Sequence, residues 1–503
     1  MRGAQKRDLA NGARSKVYIK KGGLVYYNTP HILEDCNRNI PIVLQKICFM
    51  TNRLLIMPNL YILQKKIQKR GVCPITMEMN VNVQEAIVEQ IKQQAVPLNT
   101  PNDLDDLIEA IGDKKYVLLG EATHGTSEFY KLRTELTRKL IQTKGFSFIA
   151  VEGDWPSCYE VNRYVKQYKD AKPNTREVLE GFNRWPTWMW ANEEVGELVD
   201  WLQRHNADKP MGQRIGFYGL DVYSLWESFE EIERYLIEKG TPEQLAIARS
   251  AFACFDSYDK EGQNYGASAA FYGESCKDEV VKLLQELHAK RVRYDEDSEA
   301  ALSAELNALV AVNAENYYRT MVRHDAESWN IRDRHMTEAL QRLVQYHGPD
   351  AKVIVWEHNT HIGDARATDM RADGMVNVGQ LVREAHGEAD VFAIGFGTYR
   401  GTVIAAKDWG APVTAMQVPA AQPGSWEELM HRAGAHDQIL LLRREDPLLG
   451  HEVLGHRAIG VVYRQAYERG NYVPSVMARR YDAFVHVDES HALHPLTIEK
   501  VLM

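Results

Sequence analysis

Short apolar runs alternate with longer amphipathic stretches along the chain from about residue 80 onward. An apolar run of strand length that ends in glycine or polar residues is typical of a buried strand, whereas apolar positions three and four residues apart indicate a helix. The runs at 116–120 and 146–151 flank a helical pattern at 128–144. Because consecutive parallel strands need a crossover connection, this order predicts a right-handed β-α-β unit.

Further strand-length runs indicate that the sheet continues through much of the chain. Between residues 225 and 347 such runs nearly vanish, and helical patterns rich in alanine, leucine, glutamate and arginine replace them. We therefore predict an α/β fold in which a mostly parallel central sheet is flanked by helices and carries a large helical insertion or lid. The further runs lie at 214–220, 352–356, 390–394, 438–442, 458–463 and 483–487.

The order of these patterns predicts four parts of the chain. Its beginning is basic, since residues 1–75 contain 14 Lys and Arg against 3 Asp and Glu. We interpret this leader as an accessory segment or an over-extended start. The predicted parts are the leader at 1–78, a first α/β part with catalytic strand ends at 79–224, the helical insertion at 225–347, and a second α/β part that completes the site at 348–503.

The composition is that of an ordinary folded protein, with 45% hydrophobic and 26% charged residues. Beyond residue 75 the chain holds 46 Lys and Arg against 66 Asp and Glu. Because an acidic protein lacks the positive charge that phosphate backbones require, we expect no nucleic-acid partner. The longest apolar stretch, at 41–63, is interrupted by two basic residues and a proline. It therefore predicts no membrane span.

The six cysteines are sparse and follow no spacing typical of a disulfide framework or a zinc site. This pattern predicts reduced thiols and a cytoplasmic location. The sequence offers no prediction of the oligomeric state.

Residues with catalytic chemistry directly follow four of the predicted strands. Ligands of open parallel sheets bind outside the carboxyl ends of the strands, so these residues are expected to meet at one edge. Histidines and carboxylates that converge from distant positions are typical of an acid–base or metal site. For any one of them alone, a hydrogen bond at a strand end is the alternative. In chain order they are Glu121, His124, Glu152, Asp221, His358 and His361.

His124 is the foremost candidate for a general base. It lies in a glycine-flanked turn just before a predicted helix, where the positive end of the helix dipole should keep the ring neutral. Glu121 or Glu152 would orient the ring. Arg133, on the following helix, would stabilise an oxyanion or hold a carboxylate, unless it forms an ordinary pair within its helix. No Gly-x-Ser-x-Gly string follows a strand, so water is the predicted nucleophile.

Tryptophans are concentrated after the second strand and in the segment 182–201. Such clusters either form core or provide an apolar wall for a bulky substrate. On the second interpretation, Trp155, Trp188 and Trp190 line the substrate pocket.

A polar and aromatic string lies at 328–336, within the predicted helical insertion. Asn330, Arg332 and Asp333 either reach the edge of the sheet or pin the insertion to it. In the first case Asn330 and Arg332 would bind substrate together with Asp221. Both interpretations remain open from the sequence.

The spacing of these motifs resembles the erythromycin esterase family. Arg133 lies nine residues after His124, as expected for that family, and the likeness runs from about residue 95 to about residue 495. The motifs that carry it are Leu119-Gly-Glu-Ala-Thr-His-Gly125, Arg133, Val151-Glu152, the string 328–336, Trp356-Glu-His-Asn-Thr-His361 and the string 481–488.

The resemblance implies an α/β body with a helical part, and a reaction in which activated water hydrolyses the lactone of a macrolide. It implies no covalent enzyme intermediate and neither a metal nor another cofactor. The partner would be a small-molecule ester, bulky and apolar. By position, His124 would be the general base, and the residues around it would be Glu121, Arg133, Glu152, His358 and His361.

In the predicted mechanism His124 removes a proton from water, while Arg133 or one of the two later histidines stabilises the oxyanion. Two alternatives remain. The histidines and glutamates could instead hold Zn²⁺ or Mn²⁺ in a metal-dependent hydrolase of another ester or amide. The same edge could also bind a small haem-like ligand without catalysis.

Overall fold

The computed structural model describes residues 81–497, except 259, 261, 274, 290–297 and 324. The predicted leader at 1–78 lies outside the described residues. The other three predicted parts belong to one compact unit, Glu78–Met503.

Strands and helices alternate in the first and last thirds of the described chain. The strands are β1 (Val96–Pro97), β2 (Tyr116–Leu119), β3 (Phe148–Asp154), β4 (Gly216–Asp221), β5 (Val353–Trp356), β6 (Val391–Ala406), β7 (Val413–Val418), β8 (Gln438–Leu441), β9 (Val453–Arg457), β10 (Tyr472–Val476) and β11 (Ala483–Ser490). The helices are α1 (Val81–Gln94), α2 (Asp105–Ile111), α3 (Ser127–Lys144), α4 (Trp155–Val165), α5 (Thr175–Leu179), α6 (Glu193–Asn206), α7 (Leu225–Lys239), α8 (Pro242–Ala253), α9 (Gly262–Tyr272), α10 (Lys277–Ala289), α11 (Ser298–Met321), α12 (Asp325–His347), α13 (Asn359–Ile362), α14 (Val378–His386), α15 (Trp426–Ala433) and α16 (Met477–Arg480).

The large sheet has the order β1-β8-β11-β6-β2-β5-β3-β4, and β7 pairs with β6 at its side. All pairs from β11 to β4 are parallel, whereas β1, β7 and β8 pair antiparallel. A small second sheet consists of β9 and β10. The predicted α/β class, with a mostly parallel central sheet flanked by helices, is confirmed.

One predicted strand differs from the structure. The apolar run at 458–463 forms only single bridges, in which Ile459 pairs with Thr123 and Val462 with Ala406. The strand in this region is β9, which ends at Arg457 and pairs with β10. The run is apolar because its residues pack against the loop after β2 and against β6, a role that a strand pattern does not distinguish from pairing.

Strand residues alternate between two hydrophobic cores, one on each face of the sheet. In β2, Val117 and Leu119 pack with the core that includes α3 and α6. Tyr116 and Leu118 pack with the other core, which includes α7 to α12. The central strands therefore have buried residues on both faces, as expected for parallel strands covered by helices.

The described residues between β4 and β5 form helices and connecting turns, and no strand occurs among them. A buried polar cluster attaches this helical segment to the sheet. Lys166, just after α4, forms an ion pair with Glu299 of α11. Tyr218 of β4 donates a hydrogen bond of 2.6 Å to the same carboxylate. Because these groups are buried together, each satisfies the polar atoms of the others.

The helical segment also contains a disulfide between Cys254 and Cys276, whose Cα atoms lie 5.8 Å apart. The prediction of reduced thiols is wrong for this pair in the structure. Twenty-two positions separate the two cysteines, and only the packing of the helices around them brings them together. Cys158 is buried and unpaired. Among the described residues, no helix is both long and apolar enough to cross a membrane.

Candidate active site

The carboxyl ends of β2, β5, β3 and β4 are neighbours in the sheet and form one edge of it. The loop after β2 lies directly against β6, because the Gly125 carbonyl accepts a hydrogen bond of 3.0 Å from Ile404 N–H. A Cβ atom added at Gly125 would lie 1.9 Å from the Ile404 carbonyl oxygen. Glycine is therefore required for this close approach, which holds His124 above the sheet.

His124 is part of a line of three charged or polar side chains. Its Nδ1 atom lies 2.8 Å from Glu121 Oε1. Arg133 Nη2 donates a hydrogen bond of 2.7 Å to the other oxygen of the same carboxylate. Since Glu121 accepts a proton on Nδ1, the lone pair of the neutral ring lies on Nε2. No described residue forms a hydrogen bond with Nε2.

The electrostatics of His124 differ from the sequence-based expectation. Burial disfavours the charged ring, but the negative charge of Glu152 and the hydrogen bond to Glu121 outweigh it, so the pKa of His124 lies above its ordinary value. The expectation that a helix dipole would favour the neutral ring was wrong. The helix starts only at Ser127, and the two carboxylates are nearer sources of charge.

Arg133 lies behind Glu121, in the core of the protein. Its guanidinium carbon is 4.4 Å from the centroid of the Tyr130 ring and 4.5 Å from that of Trp356. Only 1% of the side chain is exposed. The structure therefore places Arg133 where it holds a carboxylate, one of the two roles that the sequence left open.

A second group of charges surrounds Arg332, which α12 contributes from the helical segment. Arg332 donates to both oxygens of Asp221, at 2.9 and 2.7 Å, and to Glu152 Oε1 at 2.7 Å. A fourth bond, of 2.9 Å, joins Arg332 Nη1 to His361 Nε2. Arg332 thus both reaches the edge of the sheet and pins the helical segment to it.

Glu152 and Asp221 both remain ionised in this arrangement. Burial acts to raise both pKa values, but the ion pair with Arg332 helps to hold the pKa of Glu152 well below its usual range. Arg332 likewise lowers the pKa of Asp221. The other oxygen of Glu152 accepts a hydrogen bond of 2.8 Å from the backbone N–H of His358.

The His358 ring lies beside His124, and its Nε2 atom forms no hydrogen bond with a described side chain. The two ring centroids are 4.9 Å apart. The Nδ1 atom of His358 accepts a hydrogen bond from the backbone N–H of Thr360, which leaves the ring proton on Nε2. The Nε2 atom is buried and bonds to no described side chain, and the backbone of Ala122 lies close to the ring. Burial and the neighbouring His124 lower the pKa of His358 well below its ordinary value.

His361 is held on both ring nitrogens and on one face. Its Nδ1 atom lies 2.9 Å from Asp333 Oδ1, opposite the bond from Arg332. The Trp329 ring stacks on it, with centroids 4.6 Å apart and an interplanar angle of 6°. Sequence reasoning placed Asp333 near the edge without a role and missed Trp329. Trp329 precedes Arg332 by three positions and Asp333 by four on one helix, and this spacing was the available signal.

Four predicted substrate contacts lie elsewhere. Trp155 is buried in the core on the helical-segment side, where its Nε1 donates to Ser303. Trp188 and Trp190 are buried in the opposite core, where Trp190 Nε1 donates a hydrogen bond of 3.0 Å to the backbone carbonyl of Glu152. Asn330 bonds to the backbone of Gly374 and Val376 rather than to the edge. The three indoles therefore form core, the alternative that the sequence left open.

One further carboxyl group lies at this edge. Glu357, which directly follows β5, is fully buried, and neither side-chain oxygen has a hydrogen-bond partner in the described part of the chain. Burial raises the pKa of Glu357 well above its usual range. Burial therefore favours the uncharged form of this group.

The described residues include no group of three or more histidine, cysteine, aspartate or glutamate side chains arranged to hold a metal ion. At the edge of the sheet, Arg332 is the cation that faces Glu152 and Asp221. Chemically, the arrangement provides a histidine base, a neutral histidine donor and a buried guanidinium.

A family model described as erythromycin esterase matches residues 141–490. The matched range contains Glu152 and the later residues of the edge, whereas Glu121, His124 and Arg133 precede it.

Individual proteins also resemble this chain, each with a sequence identity below 25%. The chain is 24% identical to erythromycin esterase type II of Escherichia coli over 399 residues, which cover 71% of this chain and 88% of that protein. The crystal structure of a succinoglycan biosynthesis protein superposes with a TM-score of 0.67 and 22% identity, covering 83% of this chain and all of that one. A mutant of the erythromycin esterase EreC in its open conformation gives a TM-score of 0.55 and 18% identity, covering 78% of this chain and 94% of the other. At these identities the solved structures establish the fold alone.

Proposed function

The chain belongs to the erythromycin esterase family, and we propose that it hydrolyses a carboxylic ester, the lactone of a macrolide such as erythromycin, with a water molecule activated by His124. The observation that carries this proposal is the line Arg133–Glu121–His124, which ends in a free Nε2 atom. A histidine whose other nitrogen is fixed by a carboxylate is suited to take a proton from water.

The reaction begins when Nε2 of His124 removes a proton from water as the water oxygen attacks the ester carbonyl. The ring becomes positively charged, and Glu121 and Glu152 stabilise that charge. Negative charge develops at the same time on the carbonyl oxygen. We assign His358 to stabilise it, because its Nε2 carries a proton that bonds to no described side chain. Collapse of the intermediate breaks the ester bond, and the imidazolium returns its proton to the leaving alkoxide.

The name of the Escherichia coli relative supports a macrolide as the substrate. The bulky, apolar character of the ester and the cytoplasmic location remain predictions of the sequence.

The test is mass spectrometry of erythromycin after incubation with the full-length protein, its His124→Ala variant and a control, His451→Ala. His451 is an exposed histidine away from the edge of the sheet. We expect the wild type and the control to add the mass of one water, and His124→Ala to be slower by about 10²- to 10⁴-fold.

Two results would contradict the proposal in different ways. A His124→Ala variant with nearly full activity would exclude the histidine base. A wild-type protein that leaves erythromycin intact but cleaves p-nitrophenyl acetate would exclude this macrolide as the substrate, while the proposed esterase activity would stand.

A further inference from the structure

We infer that Arg332 is a catalytic residue whose guanidinium contacts the carbonyl oxygen of the ester in the transition state, and that Asp333 and Trp329 position it through His361. The inference rests on the proposed ester hydrolysis. It assigns His361 a positioning role, in place of the oxyanion-stabilising role that the sequence left open for it.

Two arginines lie near His124, and their surroundings differ. Arg133 is enclosed by two aromatic rings behind Glu121, and 1% of its side chain is exposed. For Arg332 the exposed fraction is 12%, although the residue has more ion-pair partners. A substrate at the edge of the sheet can therefore reach Arg332, whereas Glu121 and the core block its path to Arg133.

The hydrogen bonds of Arg332 leave one donor unused. A guanidinium group has five N–H bonds. Its Nε bonds to Asp221, its Nη2 bonds to Asp221 and Glu152, and its Nη1 bonds to His361. These contacts use four N–H bonds, so one on Nη1 is free of the described side chains. The four bonds also fix the plane of the group, which prepares the fifth donor for an incoming oxygen.

The bond between Arg332 and His361 requires one tautomer of the histidine. Arg332 can only donate, so His361 Nε2 must be unprotonated. Asp333 Oδ1 accepts the proton on Nδ1 at 2.9 Å and also accepts the backbone N–H of Val378 at 3.1 Å. Trp329 stacks on the ring and fixes its plane. With both nitrogens engaged, His361 orients Arg332 and does not exchange a proton with substrate.

The charges around Arg332 suit a transition state in which opposite charges develop together. Glu152 raises the pKa of His124, whereas Arg332 acts to lower it. The carboxylate therefore balances the positive charge that forms on His124. The guanidinium is left to balance the negative charge on the carbonyl oxygen.

The experiment measures kcat and KM for the ester that the wild type hydrolyses, in the full-length protein. The variants are Arg332→Ala, Arg332→Lys and Arg334→Ala. Arg334 lies on the same helix and is exposed, so it is the matched control. We expect Arg332→Ala to lower kcat by about 10²- to 10³-fold with a smaller change in KM, as for loss of an oxyanion donor. Guanidinium chloride at millimolar concentration should restore part of that rate, and Arg332→Lys should stay slow because an ammonium cannot reproduce the planar fork.

Asp333 provides a second test that does not depend on the stability of the arginine variants. The carbonyl oxygen of Asp333→Asn can still accept both N–H groups, so this variant should keep most of the wild-type kcat. Asp333→Ala should lower kcat with little change in KM.

The inference is overturned if Arg332→Ala keeps kcat within about threefold of wild type. It is also overturned if this variant loses kcat together with a lower Tm and guanidinium does not restore kcat. Equal kcat values for the two Asp333 variants would also overturn it. These results differ from failure of the proposed function, in which the wild type and Arg334→Ala are themselves inactive on the ester.

Discussion

Arg133 and Glu121 form a buried ion pair in which Nη2 and Oε2 are 2.7 Å apart, and the other oxygen of Glu121 lies 2.8 Å from His124 Nδ1. Glu121 therefore holds a cation on one side and a ring proton on the other. This arrangement directs the free lone pair of His124 away from the core, towards the site where water must bind.

Replacement of Glu121 by glutamine tests this arrangement. The amide can direct its oxygen to only one of the two donors, so its NH₂ group must face either Arg133 or His124 Nδ1. In the second case the ring proton moves to Nε2 and the base is lost. We expect kcat to fall by about 10²- to 10⁴-fold for Glu121→Gln. The exposed Glu109→Gln is the control, and equal kcat values for the two variants would exclude the role of Glu121.

The pH dependence of the reaction follows from the carboxylates around His124. The base must be neutral, and its pKa lies above the ordinary value of about 6.5. We expect kcat/KM to rise with pH and to level off only above that value. Replacement of Glu152 by glutamine removes negative charge, which destabilises the imidazolium and should move the inflection to lower pH. A pH–rate profile of both proteins measures the shift, and an unchanged inflection would argue against His124 as the titrating group.

Removal of metal ions distinguishes the proposed mechanism from a metal-dependent one. Among the described residues no set of donors is arranged to hold a metal ion. We expect full activity after dialysis against a chelator, with the metal content checked by elemental analysis. Loss of activity that Zn²⁺ or Mn²⁺ restores would favour a metallohydrolase.

The ion pair between Lys166 and Glu299 should contribute strongly to stability. Both side chains are buried, and Asn162 donates a further hydrogen bond of 2.8 Å to the carboxylate. Burial acts to raise the pKa of Glu299, but Lys166 and these hydrogen bonds lower it overall, so the group is charged. Lys166→Met leaves that charge unpaired and should reduce the free energy of unfolding by about 3–5 kcal/mol.

Denaturant titration measures this loss. The exposed Lys169→Met is the control and should have the stability of the wild type. The double variant Lys166→Met/Glu299→Gln should recover part of the lost stability, because it removes both buried charges and the amide oxygen can still accept a hydrogen bond from Tyr218 or Asn162. A Lys166→Met variant as stable as the control would contradict the prediction.

The Cys254–Cys276 disulfide predicts a redox-dependent stability. A crosslink across 22 positions lowers the entropy of the unfolded chain and thereby raises the free energy of unfolding by about 3 kcal/mol. Alkylation followed by mass spectrometry should label these two cysteines only after reduction, and reduction should lower Tm. Labelling of both without a reductant would support the reduced thiols that the sequence predicts.

The local pattern of the chain was sufficient to predict the parallel centre of the sheet and the edge that carries the candidate site. Apolar runs of strand length preceded Glu121, Glu152, Asp221 and His358, and parallel strands align their carboxyl ends whatever the side chains do afterwards. The periodicity of apolar residues indicates helices and strands because the geometry of these elements depends on residues close in sequence.

Only the tertiary structure decided the partners of each group. Arg332 lies 180 positions from Glu152, and a pattern of local spacing contains no information on which distant side chains meet. The same limit applies to Trp155, since an apolar aromatic pattern is identical for a core residue and a pocket wall. The sequence determined which histidines and carboxylates follow the strands at this edge, whereas long-range packing decided which carboxylate orients which histidine and which other residues join them.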